Sequence, residues 1–371
     1  MSEFVHQHMT KLALKPMFSL ETFIRPHLLS LKPYSSARDE FEGEASVYLD
    51  ANENNLGSLA GGVDYNRYPD PYQKTIKEKL ATLKGVRPEQ IFIGNGSDEA
   101  IDLLVRLVCE PGRDEVLLLP PTYGMYEVSA NIHNVAIQRV PLDEHFQPVF
   151  EKIAEKQNER TKILFLCSPN NPTGNLLESA TVEKLIKSFN GLVVVDEAYI
   201  DFTQSPSWST RLDEFPNLIV LQTLSKAWGM AGLRLGMAFA SPEIIGYLNK
   251  IKPPYNINVV TQELVSAALD KTAQLADMLQ VIVQERARLV EAFASLPLIE
   301  KVYPSDANFV LVQVPNANEL YGYLLDRGVV VRNRSTQPGC ANCLRITIGT
   351  PAENDHLLES LQTFAAQANL V

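Results

Sequence analysis

The chain has 371 residues, 45% hydrophobic and 21% charged, enough apolar material for a large buried core. A formal charge of −11 excludes the global basic excess of a nucleic-acid binder, and plentiful apolar and aromatic residues exclude intrinsic disorder. Four cysteines are too few for a disulfide scaffold, no run reaches the roughly 20 apolar residues of a membrane span, and the apolar stretch Leu12–Leu20 is interrupted by Lys15 and Pro16, so a cytoplasmic protein without membrane partners is expected.

In chain order, short Val/Ile/Leu-rich runs alternate with longer amphipathic ones. The strand-like runs are Ile91 to Ile93, Val116 to Leu119, Ile163 to Cys167, Leu192 to Val195, Leu218 to Leu221 and Gly236 to Ala240. They show little polar alternation, as strands covered on both faces do. Helical patterns at Tyr72 to Leu83, Glu99 to Cys109, Thr181 to Phe189 and Pro242 to Ile251 separate them. The rhythm predicts an α/β architecture with a mostly parallel central sheet.

From Gln262 to Leu296 the spacing predicts one long helix or a closely joined pair. Beyond it, Asn308 to Val314, Gly328 to Val331 and Leu344 to Ile348 read as strands of a smaller sheet, with helices at Asn318 to Asp326 and His356 to Ala366. The expected organisation is an N-terminal segment (1–45) packing with the small domain, a large domain (46–285) and a small C-terminal α+β domain (286–371).

Three polar clusters follow directly on predicted buried strands: Ser168-Pro169-Asn170-Asn171-Pro172-Thr173-Gly174, Asp196-Glu197-Ala198-Tyr199, and Thr223-Leu224-Ser225-Lys226 with Gly232-Leu233-Arg234-Leu235-Gly236. Ligand groups of an open α/β sheet gather at such carboxyl ends. Taken alone, a lysine past a strand with an arginine eight residues later is ordinary surface. Three such clusters in the order Asn, Asp/Tyr, Lys, Arg are hard to explain as turn chemistry.

The combination resembles the fold-type I pyridoxal-phosphate aminotransferases over nearly the whole chain. The resemblance implies that Lys226 holds the cofactor as a Schiff base and that Asp196 pairs with its pyridine nitrogen. It implies too that Asn171 and Tyr199 hydrogen-bond the ring's phenolic oxygen. An amine is needed for the linkage, and burial with nearby positive charge lowers its pKa toward reactivity. A carboxylate opposite the ring nitrogen keeps that nitrogen protonated, so that the ring can accept electrons. Ala198 is small enough to let the ring lie flat.

Gly94-Asn95-Gly96-Ser97-Asp98-Glu99 opens a helix after a strand, which by itself is only a glycine turn with a cap. Within the resemblance it matches a phosphate cup at a helix N-terminus. The phosphate is assigned to the backbone of Ser97 and Asp98, with Ser225 and Arg234, while the acidic side chains of Asp98 and Glu99 point away. Tyr123 occupies the place of a ring stacked on the cofactor. Tyr68 is implied to reach the cofactor phosphate of a neighbouring subunit, which makes the functional unit a homodimer with shared sites.

Within the family, Leu49 to Asn54, Asn66 to Asp70, Pro254 to Asn258, Leu344 to Thr350, and Arg25-Pro26 leading to Pro33 to Arg38 resemble the histidinol-phosphate aminotransferases. The implied substrates are L-histidinol phosphate and 2-oxoglutarate, or in the biosynthetic sense imidazole-acetol phosphate and glutamate. One pocket must then take a phosphate and a carboxylate in turn, which suits the planar fork of arginine. Arg345 is the first candidate and Arg332 the second, with Tyr34 and Asn171 completing the substrate site. Arg334 beside Arg332 keeps open a reading of both as a basic surface loop. An aromatic or broad-specificity aminotransferase and a threonine-phosphate decarboxylase of the same fold also stay open.

Cys340-Ala341-Asn342-Cys343 has metal-ligand spacing but no second pair or His-x-x-x-His to complete a site, so two free thiols are expected and no metal. The six histidines are scattered and none is assigned to catalysis. Lys74, Lys77, Lys79 and Lys84 are expected to form a solvated helix face.

Overall fold

In the computed structural model, which describes residues 18–35, 45–60 and 65–367, the Val/Ile/Leu runs form the interior of a seven-stranded sheet. The first part of the chain folds as α1 (Pro26–Leu29), α2 (Lys74–Lys84), β1 (Ile91–Asn95), α3 (Ser97–Val108), β2 (Glu115–Leu118), α4 (Met125–Ile132) and β3 (Ala136–Arg139). It continues through α5 (Phe150–Lys156), β4 (Thr161–Cys167), α6 (Ser179–Ser188), β5 (Leu192–Asp196), β6 (Leu218–Thr223), β7 (Leu235–Phe239), α7 (Pro242–Ile251) and α8 (Val259–Ala268). The remainder is α9 (Thr272–Ser295), β8 (Lys301–Val302), β9 (Phe309–Gln313), α10 (Ala317–Asp326), β10 (Arg332–Asn333), β11 (Cys343–Thr347) and α11 (Pro351–Gln367).

The large sheet has the order β1-β7-β6-β5-β4-β2-β3, and only β7 runs against its neighbours. Successive residues of a strand serve opposite layers: Leu192 and Val194 of β5 enter one core cluster, Val193 and Val195 the other. That two-sided burial is why these strands carry no polar alternation. β3, half-exposed at the sheet edge with the sequence Ala-Ile-Gln-Arg, lacks the apolar signature and was not expected.

The small sheet is antiparallel, in the order β10-β11-β9-β8. Leu344 and Ile346 of β11 face a core built with Leu289, Phe293, Leu320 and Leu361, so Arg345 between them faces the large domain. The expected strand Gly328 to Val331 is displaced to Arg332–Asn333. Gly328 adopts a left-handed φ of +74° and ends α10, with the Val329 N–H closing back on the Leu324 carbonyl at 2.8 Å.

The helical stretch is a pair, α8 and α9. The expected domain boundary at 285 lies inside α9, whose Leu275 and Leu279 pack near Tyr199 while Leu289 and Phe293 enter the small-domain core. The N-terminal segment departs from expectation. Leu20, Ile24 and Leu28 bury against α3 and α7 of the large domain, and the Arg25 N–H donates to the Leu107 carbonyl at 3.1 Å. The apolar triplet finds its partners there, not on the small domain; residues 1–17 and 36–44, including Arg38, lie outside the described residues. Among the described residues no helix is long and apolar enough to cross a membrane.

Candidate active site

β4, β5 and β6 end at Cys167, Asp196 and Thr223, and all three residues line one cavity of about 350 Å³. β7 runs the other way, so Arg234, just before its first residue, stands at the same edge. Gly96, Ser97 and Asp98 at the start of α3 form a second wall, and Arg332, Arg334 and Arg345 from the small sheet form a third.

The phosphate-cup expectation has a geometric basis. No side chain caps the first turn of α3, which leaves its leading N–H groups for a ligand. The helix start is drawn close by Gly236: a β-carbon there would lie 2.1 Å from the Ser97 nitrogen. Gly96 turns with φ of +72° and donates its N–H to the Arg234 carbonyl at 2.7 Å. Ser225 and Arg234 line the same corner.

One detail is corrected. Asp98 does not point away: it lines the cavity, accepts from the Tyr123 hydroxyl at 3.0 Å and lies 3.6 Å from the Arg234 guanidinium. Glu99 does turn away, accepting from the Asn95 N–H and from Asn256 Nδ2, so it ties the turn and is not among the cavity-lining residues.

Asp196 is 2% exposed and has no cationic partner within ion-pair distance among the described residues. Burial raises its pKa to about 6, against the hydrogen bonds it accepts from the Tyr126 hydroxyl (2.6 Å) and the Ala198 N–H (3.1 Å). A buried carboxylate of this kind is suited to a protonated ring nitrogen. Lys226 is open to the cleft, and surrounding protein, followed by the Arg345 charge, holds its ammonium pKa below the usual lysine value. Its Nζ lies 5.7 Å from the centre of the Tyr199 ring. A buried anion, a softened lysine amine and an uncapped helix start around one cavity fit the donor and acceptor set of pyridoxal phosphate.

At the small-domain side, β10 and β11 place Arg332 directly opposite Arg345. Arg345 donates from Nη1 to Asn171 Oδ1 at 2.5 Å and lies over the Phe309 ring, whose edge contact with Tyr199 joins the two domains. Asn171 is therefore engaged by an arginine as well as lining the cavity. The Nε atoms of Arg334 and Arg345 are buried without a partner.

Lys226, Asp196, Tyr199, Asn171, Ala198, Ser97, Asp98, Tyr123, Ser225, Arg234, Arg332 and Arg345 are thus brought together, while Glu99, Tyr34 and Tyr68, also expected at the site, are not. Tyr34 is 73% exposed beside Tyr72 and Lys252, and Tyr68 is 50% exposed, stacked on Tyr255 with centroids 4.4 Å apart. Two residues were given no role at the site from the sequence. Tyr126 looks like any aromatic of an amphipathic helix, and its role depends on a contact 70 residues away. Arg334 carried a readable signal, since Arg-x-Arg in a strand puts both side chains on one face.

The family model for aminotransferase class I and II matches residues 45–361. The histidinol-phosphate aminotransferase of Parabacteroides distasonis is 56% identical over 93% of this chain and 99% of its own length, and that of Cytophaga hutchinsonii 51% identical over 94% and 99%. Among solved structures, the histidinol-phosphate aminotransferase of Sinorhizobium meliloti in complex with pyridoxal-5′-phosphate superimposes with a TM-score of 0.76 at 26% identity, covering 86% of this chain and 90% of that one. The L-threonine-O-3-phosphate decarboxylase of Porphyromonas gingivalis shares the fold, with a TM-score of 0.70 at 24% identity over 81% of this chain and 91% of that one.

Proposed function

The chain belongs to the class I and II aminotransferases and, within them, to the histidinol-phosphate aminotransferases, and from that premise we propose that it exchanges an amino group between L-histidinol phosphate and 2-oxoglutarate. The products are imidazole-acetol phosphate and L-glutamate, and biosynthesis runs the reaction in reverse. The observation that carries this reading is a cavity with an anion cradle at each end. Gly96, Ser97, Ser225 and Arg234 form one, Arg332 and Arg345 the other, and Lys226 lines the same cavity within reach of the charges of both Arg234 and Arg345.

Pyridoxal phosphate supplies, when bound, an electron sink for the pair left at the substrate's α-carbon. The residues that would hold it are Lys226, Asp196, Asn171, Tyr199, Tyr123, Ser225, Arg234 and the α3 start. Asp196 keeps a proton on the ring nitrogen by presenting a negative charge that burial leaves otherwise uncompensated. Lys226, whose lowered pKa leaves more free amine near neutral pH, would serve, once displaced by the amino donor, as the base that takes the α-proton and as the acid that delivers it to the cofactor. Arg345 orients the substrate by its anionic end, and its fork accepts phosphate in one half-reaction and carboxylate in the other.

The exposed Tyr68 ring, stacked on the partly buried Tyr255, supports a homodimer in which Tyr68 serves the partner's phosphate site. The same reading places the enzyme in the cytoplasm, with Cys109, Cys167, Cys340 and Cys343 as buried thiols.

Steady-state assays of the holoenzyme with L-histidinol phosphate, phenylalanine, tyrosine and phosphothreonine test the reading. Histidinol phosphate with 2-oxoglutarate should give the highest kcat/KM, by about tenfold or more, as one extra charged contact provides. Carbon dioxide release from phosphothreonine, or equal use of all donors, would overturn it. Lys226→Ala should abolish the visible absorbance of bound cofactor and nearly all turnover.

A further inference from the structure

Arg332 and Arg334 are two residues apart on an extended segment, so their side chains leave the same face, and Arg332 is opposite Arg345 in the ladder. Asn333 between them turns the other way: its Nδ2 donates to Asn318 Oδ1 at 2.8 Å, and its Oδ1 accepts from the Ser335 hydroxyl. The backbone pins Arg334 in place. Its N–H donates to the Cys343 carbonyl and its own carbonyl accepts from the Gln337 N–H, both at 2.8 Å.

Three guanidinium groups therefore line one cavity, and among the described residues none has a carboxylate within ion-pair distance. Arg334 is half-buried, and its Nε has no hydrogen-bond partner. Burial, then the charges of Arg345 and Arg332, pull its pKa down to about 10. Three like charges held together without a counter-ion repel one another, and a ligand of higher negative charge relieves that repulsion. A carboxylate carries one charge on two oxygens and is satisfied by one fork. A phosphate monoester carries a charge approaching −2 on three free oxygens near pH 7 and can engage a further arginine.

We propose that Arg334 is a specificity-determining residue that binds the doubly charged phosphate of the amino substrate alongside Arg345 and Arg332, so that the site favours phosphate esters over carboxylates. The proposal rests on the substrate reading above, which puts the phosphate at this end of the cavity. Arg345 holds either anion, whereas Arg334 adds the contact that only phosphate can use.

The test compares Arg334→Gln with wild-type holoenzyme in the two half-reactions, each followed by the absorbance of the bound cofactor. With L-histidinol phosphate, kcat/KM should fall about tenfold, the loss appearing in KM, which corresponds to one charged contact. With L-glutamate the fall should stay within about threefold. The penalty on histidinol phosphate should shrink as pH falls through about 6, where the phosphate dianion takes up a proton and becomes a monoanion. Arg334→Lys, which keeps the charge without the fork, should recover part of the loss and shows that the site still folds.

Parallel losses with both substrates, or no loss with either, would overturn the role of Arg334 while leaving the transaminase reading intact. Failure of wild-type enzyme to prefer histidinol phosphate over phenylalanine would remove both.

Discussion

The Tyr126 hydroxyl donates a 2.6 Å hydrogen bond to Asp196 Oδ2, and both residues are buried, with the tyrosine ring stacked on Phe165 at 4.6 Å between centroids. The bond opposes the burial that raises the Asp196 pKa to about 6, so it helps the carboxylate stay charged, as its proposed pairing with the ring nitrogen needs. Tyr126→Phe keeps the ring and its stacking but removes the donor. A hydrogen bond to a charged group is worth roughly 1.5–3 kcal/mol, so the Asp196 pKa should rise by about one unit or more. The acid limb of the kcat/KM–pH profile should move upward and the cofactor should dissociate more readily. Unchanged pH limbs and unchanged cofactor affinity in an absorbance titration would show that the bond is merely structural.

Arg345 makes a different prediction from Arg334. Its Nη1 is committed to Asn171 Oδ1 and its guanidinium to the Phe309 face, so it is oriented before substrate arrives. Arg345→Gln should lower kcat/KM in both half-reactions by about 100-fold or more, the scale of losing a desolvated charge pair. Pyridoxal-phosphate absorbance should persist, because Arg345 is not itself among the residues proposed to hold the cofactor and meets that set only through Asn171. A loss confined to one half-reaction would show that the two anions use separate arginines.

Gly236 is predicted to be intolerant of any side chain. A β-carbon there would meet the Ser97 nitrogen at 2.1 Å and the Gly96 carbonyl carbon at 2.3 Å, both backbone atoms that cannot swing aside. Gly236→Ala should cost about 1–3 kcal/mol of stability, as overpacking does, and should weaken cofactor binding by displacing the helix start. Gly232→Ala serves as the control, since nothing lies within 4 Å of its added carbon. Thermal melts of the apo form and cofactor titrations of both variants check the contrast.

Glu197 should shape the pH dependence of stability. It is 1% exposed, and burial raises its pKa from 4.5 to about 7 despite hydrogen bonds from Ser207, the Trp208 N–H and Gln222. Between those two values the folded chain keeps a proton that the unfolded chain releases. The stabilisation from this group is therefore present at low pH and is lost as pH rises through about 7, on the order of 3 kcal/mol in all. Glu197→Gln should flatten the slope of apo-protein melting temperature between pH 5 and 7. An unaltered slope would show that other groups carry it.

Strands β1, β2, β4, β5, β6 and β7 were legible in the sequence because two-sided burial writes itself as apolar runs without polar alternation, from Val193-Val194-Val195 in β5 to Met237-Ala238-Phe239 in β7. The residues that line the cavity were legible for a related reason. Sheet topology delivers the end of each parallel strand to one edge, so a polar cluster behind a buried strand is already placed. Where competing partners decided the outcome, the reading went astray. The N-terminal apolar triplet Leu20, Ile24 and Leu28 could have packed on either domain, and the direction of the Asp98 side chain depended on Tyr123 and Arg234.

The chain by itself therefore determined the architecture and most of the residues facing the cleft, through local pattern and strand-end position, while its resemblance to the fold-type I aminotransferases implied the cofactor class. Tertiary structure alone decided which of those residues act on one another. Tyr126 meets Asp196 across 70 residues, Asn171 meets Arg345 across 174, and Arg332 and Arg334 turn from an apparent basic loop into one charged face opposite Lys226. Such contacts are set by the packing of distant elements, whose geometry no local spacing records.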